Sequence, residues 1–383
     1  MVEKALVITM PSVFVYGPLC DAALRALVIG RPVAGDAASL RGRALAQATL
    51  GIWVDVVSNT DAQIDGLCLL DLNAAEYARL EYYLSCFGGS AHEVRVQQLH
   101  GDASATGFFA AQTDSAVHTA YTPWNLEHWQ HQYGAIATAV AADIMRHFGV
   151  IAAPLVHRRL AQMSVLGAAR VRALDTAPTT RRRKALAQDV RLDAQRQPYA
   201  FFFSVEEYDL AFRRFDASLS RPVTRAAFLS GDAVTVLPYD PVRDRVLVIE
   251  QFRAGPYARG DSQPWQLEAI AGRIDPGETA EAAARREAEE EAGLTLGALI
   301  SVANYYPSPG ICAEFLYSYL AVTDLPDDAA GVFGLHSEAE DIRGHLLSFD
   351  QLMAMVESGE VGNAPLVMTA FWLDKHRDRL RAS

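Results

Sequence analysis

Three glutamates, Glu287, Glu290 and Glu291, stand at i, i+3 and i+4, a spacing that puts their carboxylates on one face of a helix. Like charges so placed repel and weaken the helix unless something neutralises them, and a divalent cation would. Mg²⁺ or Mn²⁺ takes hard oxygen ligands, which clustered carboxylates beside a diphosphate supply. Glu278 and Arg286 are then placed to orient those ligands. The chemistry implied is the binding of a hard divalent cation. The alternative is a solvated acidic helix with Arg285 or Arg286 pairing along its surface, which charge alone favours and the fixed spacing disfavours.

The elements around the glutamates are legible. Pro276-Gly277 turns the chain, Thr279 is an N-cap, the alanine-rich run Ala280–Ala292 favours helix, and Gly293 stops it. Upstream, Gly231–Pro238, Arg245–Phe252 and Trp265–Ile270 read as strands of a mixed sheet, with a turn at Asp240–Asp244. Downstream, His336–Arg343 reads as an acidic loop before a strand at Gly344–Ser348.

Read from Gly272, the order is five residues, Glu278, seven residues, then Arg286-Glu287-Ala288-Glu289-Glu290-Glu291-Ala292-Gly293-Leu294. This resembles the complete signature of the Nudix hydrolases. The resemblance runs from Phe201 to near Trp372 and implies an α/β/α sandwich with the signature helix beside the sheet. Within that superfamily, Glu250-Gln251-Phe252-Arg253, Pro264-Trp265-x-Leu267-Glu268, and Pro309 fifteen residues beyond Leu294 are similar to the ADP-ribose pyrophosphatase branch.

The resemblance implies hydrolysis of ADP-ribose to AMP and ribose 5-phosphate. By the same resemblance, Glu287, Glu290, Glu291, Glu340 and the carbonyl oxygen of Ala271 hold Mg²⁺ (or Mn²⁺), Glu338 is the general base, and Glu290 and Arg286 belong to the catalytic group. Arg253 pairs with phosphate, and Pro309 and Glu314 lie at the terminal ribose. Arg221 and Arg225 lie in a segment that in related enzymes crosses to a partner subunit, implying a homodimer with adenine at the subunit boundary. Two other readings stay open: a hydrolase of another nucleoside diphosphate sugar, and a module that senses ADP-ribose without turnover. The intact Glu287, Glu290 and Glu291 argue against the last.

In the first hundred residues, Val13–Leu19 reads as a strand broken by Gly17-Pro18, Asp21–Ile29 as a short helix, Gly66–Leu72 as a buried strand and Ala74–Leu84 as a helix. Residues 11–112 resemble the gamma-glutamylcyclotransferase-like family, a mixed α/β barrel whose first strand ends in a Tyr-Gly-(Ser/Thr)-Leu ligand loop. That family has Leu-Asp-x-Tyr-Glu-Gly where this chain has Leu80-Glu81-Tyr82-Tyr83-Leu84-Ser85. Leu84 takes the place of the acid/base glutamate and cannot move a proton, so a binding or structural module is expected. The whole chain is similar to two-domain bacterial proteins associated with tellurite resistance, a phenotype for which these residues suggest no chemistry.

Between the two regions, Trp129, Tyr133, Ile136, Val140 and Ile144 form an apolar stripe on a helix expected from Thr122-Pro123 to Gly149. His128 and His131 have no third ligand nearby and are not read as a metal pair. Thr179–Gln197, with Arg181-Arg182-Arg183-Lys184, reads as a solvated linker or helix start. The expected organisation is a cyclotransferase-like domain over 1–112, a helical connector over 113–199 and a Nudix domain over 200–383.

The chain has 383 residues, half of them hydrophobic, and a formal charge of −12. That charge argues against a broad nucleic-acid or anionic-membrane surface while allowing a local phosphate pocket. Tyr133–Met145, the most apolar helical stretch, is too short to cross a bilayer. Met1–Met10 lacks the features of a secretory signal, and Cys20, Cys68, Cys86 and Cys312 lack paired spacing. A cytoplasmic protein with reduced thiols is expected.

Overall fold

The structure is a computed structural model describing residues 10–48, 50–110, 124–175, 178–335 and 340–382. The chain forms two compact units, residues 1–182 and 183–383. Among the described residues, no helix is long and apolar enough to cross a membrane.

The first unit contains strands β1 (Val13–Tyr16), β2 (Gly35–Gln47), β3 (Val54–Leu69), β4 (Gly89–Gln98) and β5 (Gly101–Ala110), with helices α1 (Ala22–Ile29) and α2 (Ala74–Cys86) between them. The strands close into a barrel in the order β1-β3-β2-β4-β5, joined by parallel pairing of β1 with β5. Successive strand side chains point to opposite faces. Accordingly Phe14 and Tyr16 join a core made from strand residues, while Val13 and Val15 join a second core shared with helices. Gly17 sits at φ +58°, where the strand turns into a 3₁₀ turn, and Asp21 caps α1 by accepting from the Leu24 N–H.

The helices that follow are α3 (Leu126–Trp129), α4 (Ala135–Arg146), α5 (Ala153–His157) and α6 (Leu160–Arg172). Trp129, Ile136, Val140 and Ile144 are buried in the same core as α1 and α2, as the apolar stripe requires. Thr122 and Pro123 lie outside the described residues. The described helical run starts at Leu126, with Asn125 as its N-cap, passes through a π turn at Gln130–Gly134, and ends at Arg146 instead of running to Gly149.

The second unit has strands β6 (Val190–Ala200), β7 (Ser204–Phe212), β8 (Val223–Leu229), β9 (Ala233–Asp240), β10 (Arg245–Phe252), β11 (Trp265–Glu268), β12 (Ile270–Arg273), β13 (Ala298–Tyr305), β14 (Leu316–Val322), β15 (Val332–Phe333) and β16 (Ile342–Ser348). Its helices are α7 (Ala254–Arg259), α8 (Ala280–Ala292), α9 (Phe349–Ser358) and α10 (Ala364–Arg381). The main sheet runs β13-β14-β9-β10-β16-β15, with β11 paired to β10 and β12 to β9; β14 lies parallel to β9, and its other pairings are antiparallel.

Alternation along the central strands separates two cores. Val234, Val236, Leu247 and Ile249 pack with Ala283, Ala284, Ala288 and Ala292 of α8, whereas Leu237, Tyr239, Val246 and Val248 pack with α9 and α10. The result is the expected α/β/α sandwich. β6, β7 and β8 form a separate three-stranded sheet.

Two segments differ from the sequence reading. Trp265–Ile270 is not one strand: it breaks at Ala269, where the chain leaves β10 for β9. The polar stretch expected as a linker instead ends in β6, where Arg196 pairs with Asp209 and Thr224 of the neighbouring strands also meets that carboxylate. Charged cross-strand pairs let a polar sequence form a sheet that apolar patterning does not announce.

Candidate active site

Helix α8 is built as its sequence demands. Thr279 Oγ1 accepts from the Ala282 N–H at 3.1 Å, and Gly293, at φ +62°, closes the helix through its N–H to the Glu289 carbonyl. Ala283, Ala284, Ala288 and Ala292 are almost wholly buried, so small side chains bring the helix close to β9 and β12. At the closest approach lies Gly272: a Cβ there would overlap the Glu287 carboxylate. A side chain at position 272 would force the Glu287 carboxylate to shift.

Arg286 ties the acidic face together. Its Nε and Nη2 each lie 3.1 Å from the carboxylate of Glu278, Nη1 donates to Glu287 at 2.7 Å and Glu290 at 3.0 Å, and Nη2 also reaches the Arg273 carbonyl. Glu291, only 3% exposed, accepts from the Ala271 N–H at 2.9 Å. Burial pushes the Glu287 carboxyl up to about 7 against the pull of Arg286. Burial pushes Glu291 further, to about 8, with the Ala271 N–H opposing and the Glu287 charge adding to the rise.

These groups border a cavity of about 530 Å³, into which Ala271, Arg286, Glu287, Glu290, Glu291, Arg253, Glu314 and Glu340 all bring atoms. Glu340 is fastened by the Leu335 N–H at 3.1 Å, and Glu314 accepts from Ser230 Oγ at 3.4 Å, its carboxyl raised by burial. Glu338 lies outside the described residues. Pro309 sits in the exposed turn in which the Ile311 and Cys312 N–H groups bond to the Ser308 carbonyl, and it does not line the cavity. Nor do Arg221, which precedes β8, and Arg225, which lies on it and bonds the Thr224 carbonyl.

Several cavity residues were given no role by the sequence reading. Glu268, 6% exposed, holds Arg253; Asn363, the N-cap of α10, donates to Glu268; and Phe202 and Phe203 add aromatic surface, with the Arg273 guanidinium 4.5 Å from the Phe202 ring centre. Of these, only Glu268 stood in a quoted motif. No local pattern connects the others to α8.

The donor set fits a hard divalent cation. Buried carboxyls with raised pKa values are costly to ionise without a counter-charge, and among the described residues the cavity wall offers oxygens and no sulfur or imidazole. Among the described residues, no three acidic, histidine or cysteine side chains stand already converged as a ligand set. Arg286 and the Ala271 N–H occupy the carboxylates, and a bound ion would compete with them.

The NUDIX domain family matches residues 229–369. An "ADP-ribose pyrophosphatase" of Escherichia coli (strain K12) is 40% identical over 193 residues, covering 50% of this chain and 91% of that one. A Haemophilus influenzae protein of the same description is 32% identical over 198 residues, covering 51% and 91%. A "GDP-mannose pyrophosphatase" of Salmonella paratyphi A is 29% identical over 166 residues, covering 43% and 84%. With the signature helix, the sandwich that seats it and relatives matched over nearly their full length, this chain belongs to the NUDIX family.

Proposed function

We propose that this enzyme hydrolyses the diphosphate of ADP-ribose to AMP and ribose 5-phosphate, using Mg²⁺, with Mn²⁺ as an alternative. The observation that carries the reading is the meeting of the signature glutamates with Arg253, Glu340 and two phenylalanine rings around one cavity. The relatives described as ADP-ribose pyrophosphatases supply the choice of sugar.

In this reading Glu287, Glu290, Glu291, Glu340 and the Ala271 carbonyl hold the cation. A divalent ion there offsets the charge of the diphosphate and makes water easier to deprotonate. Glu338 takes the proton from the attacking water. Arg253 binds phosphate through its planar fork, while Arg286 keeps the acidic side chains in place. Phe202 and Phe203 offer flat apolar surface for a nucleobase, and Glu314 can accept from ribose hydroxyls. Pro309 shapes the neighbouring loop.

A homodimer belongs to the proposal. The three-stranded sheet leaves Tyr199, Phe201, Phe212 and Phe228 substantially exposed, and Arg221 and Arg225 lie beside β8 and on it. Such a surface suits a second copy of the chain. For the first unit we propose a cyclotransferase-like barrel without that activity, because Leu84, at the position of the acid/base, is 4% exposed within the core. The free cysteines suit a cytoplasmic setting.

The deciding assay is purified protein with Mg²⁺ against ADP-ribose, other ADP-sugars, GDP-mannose and dinucleotides. ADP-ribose is expected to give the highest kcat/KM, and Glu291→Gln and Glu338→Gln each to lower kcat at least ~100-fold. A preference for GDP-mannose, which the Salmonella relative keeps as the second reading, would replace the substrate and leave the reaction class intact.

A further inference from the structure

Glu268 is a buried carboxylate in a cavity already crowded with acids, an arrangement that is costly unless its charge is paired and its oxygens are bonded. Both conditions are met. Oε2 accepts from Nε and Nη2 of Arg253 at 2.9 and 2.7 Å, and Oε1 accepts from Asn363 Nδ2 at 3.0 Å. The backbone of Arg253 is also anchored, through its N–H to the Pro264 carbonyl at 2.9 Å. Among the described residues, Nη1 makes no hydrogen bond.

A guanidinium held along its Nε–Nη2 edge keeps its terminal edge, with one N–H from each Nη atom, available for two oxygens of a phosphate. An unheld arginine would have to give up rotamer freedom on binding. We propose that Glu268 is a positioning residue that aims Arg253 at the diphosphate, and that Asn363 fixes the orientation of Glu268 from the start of α10. This rests on the reading of Arg253 as a phosphate ligand.

The test uses the full chain and two probes, inorganic pyrophosphate for binding and ADP-ribose for turnover, with Glu268→Gln, Arg253→Ala and the double variant. Glutamine keeps the volume, but one of its two ends is a donor, so it cannot accept from both Arg253 and Asn363. Glu268→Gln should raise the Kd for pyrophosphate and the KM for ADP-ribose about 10-fold, the value of one charge-assisted hydrogen bond. Its kcat should stay within about threefold, and it should add nothing to Arg253→Ala, because a residue acting through another has no separate effect. Should Glu268→Gln fail to fold, Asn363→Ser, which retains an N-cap oxygen while removing the donor to Glu268, should raise the pyrophosphate Kd about threefold.

An unchanged Kd in the variant that folds, losses that multiply in the double variant, or a fall in Tm with no change in Kd would overturn the proposal. So would a wild type that does not bind pyrophosphate. A wild type that binds pyrophosphate through the coupled pair yet does not cleave ADP-ribose would retain the role of Glu268 and remove the substrate assignment.

Discussion

Glu291 shows how one side chain's surroundings set its chemistry. Buried against β12, with its carboxyl raised to about 8 and its neighbour Glu287 to about 7, it is charged at neutral pH only at a cost to the fold. Both groups have folded pKa values above the ordinary glutamate value, so in the folded state they hold protons that the unfolded chain releases, and stability falls as pH rises. Without metal, Tm should therefore decrease between about pH 4.5 and pH 8. Saturating Mg²⁺ should flatten that slope, and a calorimetric series with EDTA and with Mg²⁺ would check it. Gly272→Ala tests the crowding beside Glu287. A displacement of ~1 Å in catalytic geometry costs about 100-fold, and a loss of that order in kcat is expected with the fold retained by circular dichroism.

At the scale of elements, the signature helix was almost fully legible. The cap, the alanine run and the stopping glycine are local signals, and the structure has all three where the sequence put them. Thr279→Ala should destabilise the second unit by about 1 kcal/mol, lowering its Tm by about 2–4 °C, while kcat changes little. Thermal melts read beside initial rates would separate these effects. Strands were less legible. The change of partner at Ala269 has no signature within its own residues, because which neighbour a strand pairs with depends on chain far away. β6 was obscured by its polarity, since its cross-strand partners lie on β7 and its sequence neighbours do not supply them.

At the scale of the molecule, two units with separate cores predict two calorimetric transitions. AMP with Mg²⁺ should raise only the transition belonging to residues 183–383, by about 2.7 kcal/mol of stabilisation at 100 times its Kd. A shift of both transitions would mean that the first unit also senses the nucleotide. Because Leu84 cannot relay a proton, the protein should release no 5-oxoproline from gamma-glutamyl peptides. Robust release would return catalysis to the barrel.

The sequence by itself determined the acidic face and its helix, because i, i+3 and i+4 spacing is a property of one helix, while the reaction class came from the resemblance that the full signature carries. Only the tertiary structure decided which distant residues join that face: Glu268 and Asn363 behind Arg253, and Phe202 and Phe203 at the wall. It also decided how strongly Glu287 and Glu291 resist ionisation, since burial is set by the packing of α8 on β9 and β12 and cannot be read from the helix alone.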